Sequence, residues 1–177
     1  MRSAILLALA ALVLASCGGG GGKTDGGTDA DSASVLAPAN AIDLGAHGMP
    51  LVLNAPDKQL TGGQEPAIVW KDQTGVLEVR AGDHFGLLVI EEPGDIARKK
   101  ADLDRDLLRK HTILKETPDL LVYRSEFPDD PSLVYIRFHQ LVHAGDRHFV
   151  VEDIPELRFN EQDVERMVGA IAPKQPA

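Results

Sequence analysis

Cysteine is almost absent from this chain, since Cys17 is the only one among 177 residues. A single thiol cannot form an intramolecular disulfide, so the folded part of the chain has no such cross-link to stabilise it in an oxidising compartment. A cysteine nucleophile is also excluded if Cys17 carries a modification. The sequence therefore excludes the disulfide-dependent class of small secreted domains.

Basic residues are scarce relative to acidic ones, with 18 Lys and Arg against 27 Asp and Glu and a formal net charge of −9. Binding to nucleic acid and adhesion to anionic lipid headgroups both require basic surfaces. We therefore predict no nucleic-acid partner and no direct contact between the protein surface and lipid.

No apolar run is long enough for a transmembrane helix, which needs about 20 residues. The run at residues 4–15 follows the positive charge of Arg2 and has the length of the hydrophobic region of a secretory signal peptide. It ends in Leu14-Ala15-Ser16-Cys17, which resembles the lipobox of bacterial lipoproteins. The resemblance implies that residues 1–16 are a signal peptide, that the Cys17 thiol receives a diacylglycerol, and that the new N-terminus receives an acyl chain such as palmitate.

Residues 17–48 are predicted to form a flexible tether behind the lipidated cysteine. Glycine, aspartate, serine and threonine dominate its first half, and the segment cannot bury enough apolar surface to offset chain entropy. Gly18 stands where an aspartate would retain a lipoprotein in the inner membrane of diderm bacteria. The resemblance therefore implies a protein of the bacterial cell envelope, anchored in the outer membrane and facing the periplasm.

Residues 49–177 are predicted to form one domain. Apolar alternation and short apolar runs predict strands at 49–55, 67–71, 75–80, 85–92, 119–127, 133–143 and 147–154. Asp95 and Asn160 are good N-caps for two helices. The apolar positions at helical spacing are Ile96, Leu103, Leu107 and Ile113 or Leu114 in the first helix, and Val164, Met167, Val168 and Ile171 in the last.

This order of elements predicts an α+β fold in which two main helices pack on an antiparallel sheet. Behind a lipobox, the order resembles PsbP/Mog1-like domains, which include the small DcrB-type bacterial lipoproteins. That fold hosts binding and accessory proteins more often than enzymes, so the resemblance implies a binding or accessory role.

Catalytic motifs are missing from the sequence. It has no Gly-x-Ser-x-Gly elbow, no His-Glu-x-x-His motif and no P-loop. Ser125 and Ser132 lie near acidic residues, but no histidine has the sequence spacing to serve either as a base. We therefore predict no catalytic residue.

A histidine pair near the C-terminus is the best candidate for a ligand site. If Gly145 and Asp146 form a two-residue turn, His143 faces His148 and His139 faces Glu152 across a hairpin. Opposed Cβ atoms lie about 4.5–5.5 Å apart, so two imidazoles could share one Zn²⁺ or Cu²⁺ ion. His139 lies about 13 Å further along the strand, too far for the same site. An exposed polar hairpin tip that binds no metal is the alternative, because Val142, Phe149 and Val151 point to the opposite face.

The function that the sequence predicts is a membrane-anchored envelope lipoprotein with a non-enzymatic domain that binds an envelope protein or a small ligand and carries no cofactor. One alternative is a periplasmic metal-binding protein that uses His143 and His148. Another is an envelope hydrolase.

Overall fold

The computed structural model describes residues 40–175. The predicted signal peptide, the lipidation site at Cys17 and the tether as far as residue 39 lie outside these residues. The described strands are β1 (Ala41–Asp43), β2 (Leu51–Asn54), β3 (Ala67–Lys71), β4 (Val76–Arg80), β5 (Gly86–Glu91), β6 (Lys110–Thr117), β7 (Leu120–Phe127), β8 (Asp130–Ala144), β9 (Arg147–Asp153) and β10 (Ile171–Pro173). The helices are a 3₁₀ turn (Leu44–His47), α1 (Ile96–Asp104) and α2 (Glu161–Met167).

A seven-stranded antiparallel sheet in the order β3-β4-β5-β9-β8-β7-β6 forms the centre of the fold. A second sheet of three strands has the order β1-β2-β10. With two α-helices beside these sheets, the predicted α+β class is confirmed. Each strand predicted from the sequence corresponds to an observed strand, whereas β1, β6 and β10 were not predicted.

The main core lies on one face of the seven-stranded sheet. Side chains of that sheet such as Leu77, Val89 and Phe149 are buried there together with Leu53 of the small sheet and Met167 of α2. Successive side chains along a strand point to opposite faces of the sheet. Every second side chain therefore enters this core, and the side chains between them point to the other face. We call that other face the α1 face.

Helix α1 covers part of the α1 face. Ile96 and Leu103 of the helix pack with Leu121, Tyr123 and Leu141 of the sheet in a small separate cluster. Asp95 begins the helix as predicted, because its carboxylate accepts the backbone N–H groups of the next turn at 2.8 and 3.2 Å. Among residues 40–175, no helix has the length and apolar character needed to cross a membrane.

The first helix is shorter than predicted. It ends at Asp104, and residues 110–117 form β6 instead of its last turns. Asp106 accepts the backbone N–H groups of Leu108 and Arg109 at 2.9 and 3.1 Å, which turns the chain away from the helix axis. Pairing with β7 then supplies the hydrogen-bond partners of residues 110–117. The prediction that Leu107 and Ile113 or Leu114 extend the helix is therefore wrong.

The last helix is also shorter than predicted. Asn160 caps it as expected, in a reciprocal capping box with Asp163. The helix ends at Met167, and Gly169 follows in a left-handed conformation at φ 79°. Ile171 then pairs with Leu53 in the small sheet instead of continuing the apolar face of the helix.

The folded part begins earlier than the predicted boundary at residue 48. Ile42 pairs with Leu53 in the small sheet, and Leu44 is completely buried in the main core. The apolar side chains of Ile42 and Leu44 thus pack residues 42–44 against the domain, although the sequence analysis assigned these residues to the tether.

Gly94→Ala is expected to lower the free energy of unfolding by about 1–3 kcal/mol, the usual cost of overpacking. A Cβ at this position would lie against Cδ2 of Leu141 and 2.7 Å from Cγ2 of Val150, so the start of α1 would have to move away from the sheet. Urea unfolding measures the loss. Adding Leu141→Ala removes one of the two clashing side chains and should make the double variant more stable than the sum of the single effects. Strictly additive effects would contradict this contact.

Candidate functional site

The predicted histidine pair is formed as expected from the sequence. The β8–β9 hairpin turns at Gly145, which has a φ of 61°, and His143 lies directly opposite His148. Their Nδ1 atoms are 2.7 Å apart, and both side chains are exposed at the hairpin tip. Asp119 lies nearby, with Oδ1 3.8 Å from Nε2 of His143. Within residues 40–175, no group of three or more His, Cys, Asp or Glu side chains is arranged to hold a metal ion.

The third histidine of the hairpin has a different environment. His139 faces Glu152 as predicted, but it is only 7% exposed. Its Nδ1 lies 2.7 Å from Oε1 of Glu152, and its Nε2 has no hydrogen-bond partner among the described residues. The prediction that the histidine face is the solvent face therefore holds at the hairpin tip and is wrong at His139, because the start of α1 covers this part of the sheet.

A charged pocket lies between α1, the 105–109 turn and the α1 face of the sheet. Its volume is about 370 Å³. Its lining residues are Lys99, Asp102, Leu103, Asp106, Arg109, His111, Tyr123, Ser125, Arg137, Phe138, Glu152, Asp153 and Pro155. Of this set, the sequence pattern indicated only Leu103 as a core position of α1 and named Ser125 and Glu152 when sites were considered, and it predicted no pocket here.

Lys99, Glu152 and His139 form one network at the pocket. The Lys99 ammonium is 2.7 Å from the same Glu152 oxygen that contacts His139. Burial alone would raise the pKa of Glu152, but the hydrogen bond with His139 and the charge and hydrogen bond of Lys99 outweigh it and lower that pKa to about 2. Burial also opposes the charge of Lys99, but the electrostatic effect of Tyr123 and the charge and hydrogen bond of Glu152 outweigh it and raise the pKa of Lys99.

Arg137 and Asp153 form a second, more deeply buried pair. Asp153 also accepts the backbone N–H of Phe138 at 3.0 Å, and Arg137 donates to the carbonyl oxygens of Ile154 and Pro155 at 3.2 and 2.7 Å. Burial raises the pKa of the Asp153 carboxyl, and the Arg137 guanidinium opposes that rise. Removing either partner would leave a buried charge uncompensated.

Ser125, His111 and Asp106 form a relay that the sequence analysis missed. The hydroxyl of Ser125 lies 2.8 Å from Nδ1 of His111, and Nε2 of the same ring lies 3.1 Å from Oδ2 of Asp106. Backbone N–H donation from Leu108 and the contact with His111 hold the pKa of Asp106 well below its usual range. Serine and histidine become neighbours only because β6 pairs with β7, and the sequence pattern assigned β6 to a helix.

This relay has the connectivity of a catalytic triad but differs from it in two respects. Ser125 is only 2% exposed, so little of the residue is open to a substrate. The ring nitrogen that faces the serine is Nδ1, whereas the serine-protease arrangement uses Nε2. We therefore interpret the relay as a link that holds the 105–109 turn against the sheet.

Comparison with known proteins yields no match: no protein family, curated protein or solved structure corresponds to this chain. The functional interpretation therefore depends on the residues and geometry described above.

Glu152→Gln is expected to lower the free energy of unfolding by about 1–3 kcal/mol at about pH 6 and by much less at about pH 3. The folded-state pKa of Glu152, about 2, lies below its ordinary value of 4.5. Its contribution is therefore complete above about pH 4.5 and is lost as the pH falls towards 2. Urea unfolding of both proteins across this range measures the difference.

Glu156→Gln is the matched control for this measurement, because Glu156 is exposed to solvent and undergoes the same chemical change. It should change stability little at any pH. A stability difference for Glu152→Gln that stays constant between about pH 6 and pH 3 would contradict the assigned pKa.

Proposed function

We propose that this protein is a lipid-anchored protein of the bacterial envelope whose α+β domain binds a partner without catalysing a reaction. The observation that carries the proposal is the sequence Leu14-Ala15-Ser16-Cys17 at the end of a short apolar run. A lipobox in this position explains why the only cysteine of the chain stands there. The diacylglycerol and the N-terminal acyl chain on Cys17 would together suffice for stable anchoring, whereas a single acyl chain would give only marginal membrane binding.

The start of the folded part is compatible with a tethered domain. The described fold begins at residue 40, which leaves residues 18–39 between the proposed lipid and the first strand. A glycine-rich coil of this length has an r.m.s. span of about 25 Å. A domain on such a tether can meet partners in a layer above the outer membrane on its periplasmic side.

A binding role is supported by apolar side chains outside the core. Leu107 and Leu108 are 96% and 76% exposed in the turn between α1 and β6. Ile113 and Leu114 of β6 are 39% and 45% exposed. Exposed apolar groups that occur together often mark a protein interaction site.

Strand β6 adds a second feature of an interaction site. It is the last strand of the seven-stranded sheet and pairs only with β7 among the described strands. An edge strand presents unpaired backbone groups, which an extended segment of another protein can use to add a strand. We infer that the partner is an envelope protein that contacts the 107–108 turn and the edge of β6. The PsbP/Mog1-like fold remains a proposal, and the accessory role that it implies agrees with this surface.

The anchor is tested by intact mass and detergent partitioning of the protein from its native membrane. The wild-type chain is expected to lack residues 1–16, to carry lipid mass on Cys17 and to enter the detergent phase. Cys17→Ser should leave the protein without lipid in the aqueous phase, whereas the control Ser16→Ala should be lipidated, because alanine is also small. An uncleaved and unmodified N-terminus in the wild-type protein would refute the anchor.

The partner surface is tested by crosslinking in intact cells. The double substitution Leu107→Ser and Leu108→Ser should weaken formation of a discrete crosslinked species by about tenfold or more, because a buried leucine contributes about 1.5 kcal/mol or more. Leu60→Ser is the matched control, since Leu60 is 38% exposed in a different turn. Equal crosslinking of the wild-type protein and the double variant, with all variants folded by circular dichroism, would refute this surface.

A further inference from the structure

Two imidazole nitrogens converge at the tip of the β8–β9 hairpin. The Nδ1 atoms of His143 and His148 are 2.7 Å apart, with the ring planes at 82° to each other. Without a metal, this contact requires one ring to donate an N–H and the other to accept it. If both rings instead carry their proton on Nε2, each Nδ1 atom has a free lone pair, and the two Nδ1 atoms are close enough to bind one cation.

The hairpin geometry brings these two side chains together. Ala144 and Arg147 flank the two-residue turn, and His143 and His148 form the next pair in the register. Residues beside such a turn form a hydrogen-bonded pair, so the next pair belongs to the class in which opposed side chains lie closer together. The turn therefore holds the imidazoles at this spacing without any contribution from the core.

The pair needs only a small adjustment to hold a metal ion. Tetrahedral zinc with Zn–N bonds of about 2.0–2.1 Å places two ligand nitrogens about 3.3 Å apart, roughly 0.6 Å more than the observed separation. The side chain of His143 is 53% exposed, and His148 is also exposed. The rings can therefore move apart without disturbing buried packing.

The carboxylate of Asp119 lies near the second ring nitrogen of His143, and a small side-chain movement would bring it within hydrogen-bond distance. A histidine that ligates a metal through one nitrogen commonly donates its other N–H to a carboxylate, which orients the ring. Oδ1 of Asp119 is 3.8 Å from Nε2 of His143, on the side of the ring away from His148. The backbone carbonyl of Asp119 accepts the N–H of Leu141 at 2.8 Å, which keeps this residue beside β8.

The cationic side chain next to the histidine pair in the register forms an ion pair. Arg147 precedes His148 in the chain and forms two hydrogen bonds with Glu91, at 2.7 and 2.6 Å. Its charge is therefore partly compensated and opposes a second cation at the hairpin tip less than a free guanidinium would.

We propose that His143 and His148 form a two-histidine site for a divalent transition-metal ion, Zn²⁺ or Cu²⁺, with Asp119 as a positioning residue. Imidazole ligands suit these borderline ions better than Ca²⁺ or Mg²⁺, which prefer oxygen ligands. Because the described residues supply two ligands, water or a group from another molecule fills the other positions, and the metal exchanges with solvent. This site goes beyond the proposed function: it involves neither the 107–108 turn and the edge of β6 nor the lipid anchor at Cys17.

The test uses the full-length protein in detergent, purified with an affinity tag that contains no histidine. Titration with ZnCl₂ or CuSO₄ alone is expected to show one equivalent of bound metal by calorimetry. Electron paramagnetic resonance of the copper complex should show two equatorial nitrogen ligands. His143→Gln and His148→Gln should each abolish the one-equivalent binding event, and Asp119→Asn should weaken it by roughly tenfold or more.

His84→Gln is the matched control, because the side chain of His84 is 59% exposed at a distant position in the chain. It should bind metal like the wild-type protein, and thermal unfolding should show that all variants remain folded. Absence of one-equivalent binding in the wild-type protein, or its retention in His148→Gln, would overturn the site. Unchanged affinity in Asp119→Asn would overturn the positioning role of that residue. The lipid mass on Cys17 is determined in a separate experiment, so failure of the metal site would not imply failure of the anchor, and failure of the anchor would not imply failure of the metal site.

Discussion

The register between β8 and β9 is the constraint on which the rest of this structure depends. It places His143 opposite His148 and His139 opposite Glu152, while Val142 and Phe149 point to the opposite face. Side chains alternate with a period of two, so a slip of one residue would move Phe149 out of the main core and bring charged groups into it. The main core, the charged pocket and the histidine pair therefore all require the same pairing.

The two faces of the sheet are stabilised by different interactions. One face is an apolar core shared with the small sheet and α2, whereas the α1 face carries buried and partly buried charges that occur in pairs. A buried charge without a partner costs several kcal/mol, so Lys99 with Glu152 and Arg137 with Asp153 favour one arrangement of the sheet and the segments around it. Such pairs contribute less to total stability than to the choice of a single arrangement, which is our hypothesis for this face.

The side chains that we propose for binding are exposed and do not belong to either of these buried layers. The early end of α1 leaves Leu107 and Leu108 exposed in a turn, and Asp106 and His111 hold that turn against the sheet. The histidine pair lies at the far end of a hairpin and uses exposed side chains. Substitutions at these positions can therefore change binding with little effect on the folded state.

The sequence by itself determined the positions of seven strands, the N-caps Asp95 and Asn160, and the pairing across Gly145, because these depend on alternation and on contacts between near neighbours. The predicted lipobox is also a pattern of neighbouring residues, and it lies outside the residues that the structure describes. Only the tertiary structure decided where the helices end. Ile113 recurs at helical spacing, yet it pairs with Tyr123 in the sheet, and Ile171 pairs with Leu53. The contact between His111 and Ser125 and the burial of His139 likewise require strands or helices that are distant in the chain, and a local pattern contains no information about which distant segment supplies the partner.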